Sequence, residues 1–219
     1  ATIEDIQFFE TRIVANKNGK QWPEASNYNK TNITEELRAR LVKNQSIAFT
    51  VIQNDSIRFE EYWGIGSRNS RTNSFSMSKS IVSILIGIAI DEGYIESVDQ
   101  KIIDFIPEYN REGENYNKDV TIKHLLTMSS GINWQESYYN PFGVTAESYF
   151  TKELEELMYR IDFIEKPGEK WKYQSGNSQL MGIIVARATG KTLSEYASEK
   201  LWIPMEATED AEWMLDDSN

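Results

Sequence analysis

Cysteine is absent from this 219-residue chain, and histidine occurs once, as His124. The absence of cysteine excludes disulfides, thiolate nucleophiles and cysteine-ligated metal sites. A single histidine also excludes a histidine-rich metal site, and a Ser-His-Asp triad would have to use His124. We therefore expect neither a metal nor a cofactor, and we expect a catalytic serine to rely on a base other than histidine.

Clusters of positive charge and long apolar runs are missing as well. The chain carries 23 Lys and Arg against 34 Asp and Glu, a net charge of −11. With no basic cluster, we expect no nucleic-acid partner. The longest apolar run, residues 81–90, is interrupted by Ser83 and Gly87, and it falls short of the ~18 residues that span a bilayer. With 40% hydrophobic residues, the composition predicts a globular chain without a transmembrane segment.

The predicted elements are one hairpin and a series of helices. Residues 46–53 and 56–63 have strand-like patterns joined by Asn54-Asp55, so they predict an antiparallel hairpin. Asn32 with Glu35, and Thr192 with Glu195, resemble capping boxes. Apolar residues at helical spacing predict helices in residues 3–14, 33–43, 74–93, 97–106, 121–128, 145–161 and 179–189, and from residue 192 onwards.

This order of elements predicts an α+β fold. An antiparallel sheet is expected to be flanked by helices, with a mostly helical lobe over approximately residues 94–190. We expect a single domain over residues 1–219. No element closes the fold before the final Asp216-Asp217-Ser218-Asn219, so we expect the domain to lack its C-terminal strands.

The stretch from residue 74 to residue 91 organises the candidate chemistry. It begins with small polar residues and ends in the apolar run 84–90, which is typical of a buried helix. Ser76 and Lys79 are three residues apart, so a helix places them on one face. Serine needs a base to take its proton, and lysine serves where its surroundings favour the neutral amine. The helix N-terminus favours both that amine and the oxyanion of a tetrahedral intermediate.

The Ser-x-x-Lys pattern is weak when it stands alone. Chance gives roughly one such pattern in a chain of this composition, although Ser76 and Lys79 form the only one here. A solvated serine and lysine at the start of a helix is the alternative interpretation. The position of this pair at the N-terminal end of a strongly apolar helix favours the catalytic interpretation.

Four segments, taken in order, carry a resemblance to a known family. The segments are Phe-Ser-Met-Ser-Lys-Ser at 75–80, Thr-Ile-Lys-His-Leu-Leu-Thr-Met-Ser-Ser-Gly at 121–131, Pro-Gly-Glu-Lys-Trp-Lys-Tyr-Gln-Ser-Gly-Asn at 167–177, and residues 182–196 with Leu-Trp-Ile-Pro-Met at 201–205. Together they resemble the serine β-lactamase and penicillin-binding-protein superfamily, in its class C β-lactamase-like branch of esterases and 6-aminohexanoate-dimer hydrolases.

The resemblance implies catalytic roles for three residues. Ser76 would be the acylated nucleophile, Lys79 would help to deprotonate it, and Tyr173 would be the second member of the proton relay. Ser175 stands where the family's Tyr-x-Asn motif has asparagine, and Asn177 follows two residues later. Both are candidate substrate-binding residues. Because a hydroxyl lacks the paired donor and acceptor of an amide, Ser175 fits an esterase or amidase better than a β-lactamase.

The resemblance also implies roles for one loop residue, Tyr138, and one helix residue, His124. Tyr138 is the candidate for a loop tyrosine that closes over the substrate, and an ordinary aromatic loop anchor is the alternative. His124 is expected to be a packed or capping histidine. A third motif, Lys/His-x-Gly on a strand, is not found after residue 190.

These observations lead to one functional prediction and two alternatives. We expect a serine hydrolase that forms an acyl-enzyme on small esters or amides, like the 6-aminohexanoate-dimer hydrolases. The alternatives are a D-Ala-D-Ala peptidase or β-lactamase, and a non-catalytic binding protein with the same fold. The expected partner is a small ester, amide or peptide-like substrate, and a periplasmic or secreted location is favoured over a cytoplasmic one. The oligomeric state stays open.

Overall fold

Seven α-helices and two two-stranded antiparallel sheets build the part of the chain that the computed structural model describes, residues 9–113 and 115–216. This architecture confirms the α+β prediction. In chain order the elements are β1 (Thr11–Val14), α1 (Glu35–Lys43), β2 (Ala48–Gln53), β3 (Ser56–Tyr62), α2 (Ser78–Asp91), α3 (Ile122–Leu126), α4 (Val144–Phe150), α5 (Leu154–Tyr159), α6 (Ser175–Thr189), α7 (Leu193–Ala197) and β4 (Ala211–Met214).

Short helical turns lie between these helices and strands. Three-residue 3₁₀ turns lie at Phe75–Met77, Ile102–Asp104, Pro107–Tyr109 and Asn117–Asp119, and a π-helical turn at Ser198–Trp202 follows α7. Among the helices of residues 9–113 and 115–216, none combines the length and the apolar character that crossing a bilayer requires.

The hairpin of β2 and β3 forms as its sequence predicts. Ala48 pairs with Tyr62 and Gln53 pairs with Ser56, with a bulge between Val51 and Ile52. The turn residues Asn54 and Asp55 both have positive φ, 50° and 53°. A tight hairpin turn requires this conformation at both central positions, and Asn and Asp tolerate it better than most residues.

The prediction of a helix in residues 3–14 is wrong at its described end. Thr11–Val14 is a strand, β1, and it pairs antiparallel with β4 at the other end of the chain. Val14 is buried and Ile13 is 57% exposed, as the alternation of a strand requires. Ile3 and Ile6, on which the prediction also rested, lie outside the described residues. The partner strand is almost 200 positions away, so local spacing could not reveal it.

Helices α2 and α6 pack against each other and form the centre of the core. On α2 the buried residues Val82, Leu85, Ile86 and Ala89 follow helical spacing. The opposite face is open, because Ile84 is 46% exposed. The buried helix predicted for this stretch is therefore covered on one face in the structure.

Several helix boundaries differ from the sequence prediction. The helix predicted for 145–161 is two helices, because Thr151 is extended and its hydroxyl accepts a hydrogen bond from the Glu153 backbone N–H. The helix predicted for 97–106 is reduced to the turn Ile102–Asp104, and α6 begins at residue 175 instead of 179. The cap of α1 is Thr34, whose hydroxyl accepts from the Leu37 N–H, and not Asn32.

His124 has the capping role that the sequence predicts. Its Nδ1 lies 3.1 Å from the Thr121 backbone N–H, which donates to it at the start of α3. Burial lowers the pKa of His124, which favours the neutral ring that this acceptor role needs. The capping box of Thr192 and Glu195 at the start of α7 is confirmed too.

Asp162 joins distant parts of the helical region. Its Oδ1 accepts hydrogen bonds from Asn117 Nδ2 at 2.7 Å and from Arg111 Nη2 at 2.5 Å. The buried Asn117 in turn accepts from the Phe163 backbone N–H at 2.9 Å. The hydrogen bond from Asn117 and, to a smaller extent, the hydrogen bond from Arg111 lower the pKa of Asp162, whereas burial alone would raise it.

We expect Asp162→Asn to lower the free energy of unfolding by about 1 kcal/mol at neutral pH, because a neutral amide accepts weaker hydrogen bonds and solvent screens this partly exposed ion pair. The folded pKa of Asp162 lies below its unfolded value of about 4. Its contribution is therefore complete above that pH and is lost as the pH falls through the folded pKa. Urea unfolding at neutral pH and at about pH 3 measures this effect. An equal difference between the two proteins at both pH values would contradict the prediction.

Candidate active site

Ser76 and Lys79 meet where the 3₁₀ turn Phe75–Met77 runs into α2. Lys79 Nζ lies 3.3 Å from Ser76 Oγ, within hydrogen-bond reach. The helix provides this contact directly, because residues three apart share a face. The spacing in the sequence therefore predicts the pair correctly, and the serine side chain stands at the exposed end of the helix.

The backbone just before Ser76 is strained. Phe75 has φ of 46°, in the left-handed region that bulky residues avoid. Two hydrogen bonds hold it there: its N–H donates to Asn73 Oδ1 at 2.7 Å, and Ser78 Oγ donates to its carbonyl at 2.8 Å. Strain of this kind concentrates at functional sites, because surrounding contacts must maintain it. The local geometry therefore marks the turn that carries Ser76.

Tyr173 joins the pair from a distant part of the chain. Lys79 Nζ lies 5.4 Å from the centroid of the Tyr173 ring, within the range of a cation–π interaction. Tyr173 lies two residues before the start of α6, and the packing of α6 on α2 brings it to Lys79. The three residues that the sequence predicts as catalytic thus lie together.

The segment after Tyr173 is held firmly to the segment that follows α3. The buried Gln174 donates from Nε2 to the carbonyls of Ile132 and Trp134, at 2.8 and 2.7 Å. Ser130 Oγ donates to Asn177 Oδ1 at 2.5 Å. Asn177 is fully buried, so its amide is occupied inside the fold and is not exposed to a substrate.

Ser175 and Tyr138 converge on a residue that the sequence analysis missed, Glu136. Its carboxylate accepts hydrogen bonds from Ser175 Oγ at 2.7 Å and from the Tyr138 hydroxyl at 2.7 Å. It also accepts from the Ser175 backbone N–H at 2.6 Å and from Trp134 Nε1 at 2.9 Å. The one signal in the sequence is an acidic side chain that alternates with aromatic residues in a loop.

A cleft of about 560 Å³ lies beside these residues. It includes Tyr173 and Glu136, but Ser76 and Lys79 are not among the residues that line it. Its wall combines aromatic and amide side chains with charged ones: Trp134, Gln135, Trp171, Tyr173 and Gln174 stand beside Glu136, Glu165 and Lys172. With two carboxylates against one ammonium, this surface suits an uncharged group better than an anion.

No metal centre accompanies the site in residues 9–113 and 115–216, where no group of three or more His, Asp or Glu side chains is arranged to hold an ion.

Comparison with known proteins gives a family match and relatives. The family model described as Beta-lactamase matches residues 35–213. A 6-aminohexanoate-dimer hydrolase of Paenarthrobacter ureafaciens is 26% identical over 192 residues, which cover 83% of this chain and 48% of that protein. The chain thus spans about half the length of this curated relative.

Solved structures share the fold at low sequence identity. A Bacillus anthracis protein, named provisionally as a 6-aminohexanoate-dimer hydrolase, superimposes with a TM-score of 0.82 at 18% identity. The match covers 99% of this chain and 61% of that one. A class C beta-lactamase superimposes with a TM-score of 0.52 at 18% identity, over 77% of this chain and 46% of that one.

Proposed function

We propose, from the premise that this chain belongs to the beta-lactamase family, that its site is that of a serine hydrolase which forms an acyl-enzyme at Ser76. Membership in the family confirms the resemblance predicted from the four motifs. The observation that carries the proposal is the 3.3 Å contact between Lys79 Nζ and Ser76 Oγ. This contact is where a base must stand to take the proton of the nucleophile.

The arrangement supports a two-step reaction. Lys79 takes the proton from Ser76 Oγ as the oxygen attacks the substrate carbonyl, and a tetrahedral oxyanion forms near the positive N-terminus of α2. The intermediate collapses, the leaving alcohol or amine receives the proton, and the acyl group stays on Ser76. Water then attacks the acyl ester and gives a proton to the same base. The bond between the acyl carbon and Ser76 Oγ breaks, the base returns the proton to Ser76 Oγ, and the acid is released.

Tyr173 assists Lys79 in this proposal. The ring face next to Nζ stabilises the ammonium that Lys79 becomes after it takes the proton. Because this charge appears during the reaction, the contact favours the transition state over the ground state. The phenol also places a second proton-carrying group beside Lys79, as the family resemblance implies.

Small esters and linear amides are the substrates we propose. The curated relative named a 6-aminohexanoate-dimer hydrolase supports this class. Ser175 supports it too, because a hydroxyl bound to Glu136 replaces the amide that the Tyr-x-Asn motif supplies. The alternative, a D-Ala-D-Ala peptidase or β-lactamase, shares the nucleophile, and we expect penicillin to acylate Ser76 much more slowly than an activated ester does.

Active-site labelling tests the proposal. The protein at its full natural length is incubated with a fluorophosphonate probe, digested, and mapped by mass spectrometry. We expect the adduct on the peptide that contains Ser76, and loss of labelling after heat denaturation. Labelling of other serines only, or no adduct on folded protein, would exclude the acyl-enzyme mechanism and favour a non-catalytic binding protein. Preincubation with penicillin that blocks the probe completely would favour the cell-wall alternative.

A further inference from the structure

The aromatic loop, residues 132–143, is tied to the start of α6 through one carboxylate. Glu136 Oε2 accepts hydrogen bonds from Trp134 Nε1 and the Ser175 backbone N–H, and Oε1 accepts from the Tyr138 and Ser175 hydroxyls. The close packing of the same two segments is a second observation. At Gly176 a Cβ would stand 2.8 Å from Trp134 Cε3, so the indole ring lies directly against the helix.

These contacts use the whole hydrogen-bonding capacity of the carboxylate. A carboxylate has about four lone-pair sites, and the donors come from three residues on two segments. Burial alone would raise the pKa of Glu136, but the hydrogen bonds from Ser175, Tyr138 and Trp134 together lower it. Glu136 therefore stays ionised near neutral pH and has no free acceptor for a substrate cation.

The Tyr138 side chain is largely exposed, but its hydroxyl is held in place by the hydrogen bond to Glu136. Burial, and then the hydrogen bond to Glu136, raise the pKa of Tyr138 to about 12, so the phenol keeps its proton and remains a donor. Burial, and then the charge of Glu136, raise the pKa of Tyr149 on α4. Trp134, Gln135 and Glu136 of the aromatic loop line the same cleft as Tyr173.

We propose that Glu136 is a positioning residue that fixes the Tyr138 ring and Ser175 beside Tyr173, and so shapes the part of the site that receives the portion of a substrate beyond the reacting bond. This inference rests on the proposed hydrolase function. It assigns to Glu136 the discrimination between short and long acyl chains. It leaves proton transfer to Ser76, Lys79 and Tyr173.

Glu136→Gln is the direct test, because an amide offers one acceptor oxygen and turns two acceptor sites into donors. With the full-length protein we expect kcat/KM for p-nitrophenyl hexanoate to fall about tenfold or more, since a small misplacement of a binding wall costs one to two orders of magnitude. For p-nitrophenyl acetate we expect a change within about twofold, because that acyl group does not reach the wall. The matched control is Glu147→Gln, which removes an exposed carboxylate on α4 that pairs with Arg160.

A second, milder variant keeps the test decisive if Glu136→Gln fails to fold. Tyr138→Phe removes one of the four bonds, and we expect a smaller but equally selective loss for the hexanoate ester. In the double variant the two losses should not add, because both act through the same contact. Equal losses for both esters in Tyr138→Phe and Glu136→Gln, or no loss in either, would overturn the positioning role. Failure of the unmodified protein to hydrolyse either ester and to label at Ser76 would instead refute the proposed function.

Discussion

Ser76→Ala is expected to lower kcat for ester hydrolysis by at least about 1,000-fold and to abolish labelling by a fluorophosphonate. Alanine removes the only atom that forms the acyl bond in the proposed mechanism, so no neighbouring base compensates. The residue stands exposed at a helix end, and we therefore expect the thermal midpoint of unfolding to change little. Turnover of p-nitrophenyl acetate in a stopped assay measures the change in kcat, and intact-mass measurement of the adduct measures the loss of labelling.

Ser83→Ala is the matched control for this variant. Ser83 is another exposed serine, on α2 and away from the turn that carries Ser76. We expect it to retain labelling and most of the turnover. Equal activity of Ser76→Ala and the unmodified protein would refute the assignment of the nucleophile.

Lys79→Met is expected to lower kcat by about 100- to 10,000-fold, the range that general-base catalysis contributes. Methionine keeps much of the length of the side chain and removes the amine that lies 3.3 Å from Ser76 Oγ. Lys79→Arg should be almost as damaging, because a guanidinium keeps its charge and cannot take the serine proton. Initial rates for an activated ester and rates of probe labelling measure the loss in each variant.

The outcome for Lys79→Arg separates two roles of this lysine. If Lys79 acted only as a fixed positive charge that stabilises the oxyanion, arginine would restore much of the activity. If it acts as the base, arginine does not. Lys20→Met is a suitable control, because Lys20 is an exposed lysine that pairs with Glu206 on another part of the surface. A loss in the control equal to that in Lys79→Met would show that the assay reports charge or folding instead of chemistry.

The features that local residue patterns predicted without the help of a family resemblance are built from near neighbours. Ser76 and Lys79 meet because a helix brings residues three apart onto one face, and His124 caps α3 because Thr121 is three residues before it. The hairpin turn at Asn54 and Asp55 forms for the same local reason, since these residue types accept positive φ. In each case the interacting atoms belong to one turn of the chain, so spacing and residue type are sufficient.

Glu136 shows what such reasoning misses. In the sequence it is one acidic residue among many, in a loop without periodicity. Its partners Ser175 and Tyr138 approach only after the aromatic loop has packed on α6. Asn177 is the reverse case: its motif position predicted a substrate contact, and packing placed its amide against Ser130 inside the core.

By itself the sequence determined the α+β class, the contact between Ser76 and Lys79 and the residue types available for catalysis, because composition, helical period and turn chemistry act over a few residues. Tertiary structure decided which distant segments meet. It paired β1 with β4, divided the predicted helix of 145–161 at Thr151, and brought Tyr173 to Lys79. These outcomes depend on packing between α2 and α6 and on hydrogen bonds across the chain, which the spacing of residues in the sequence does not encode.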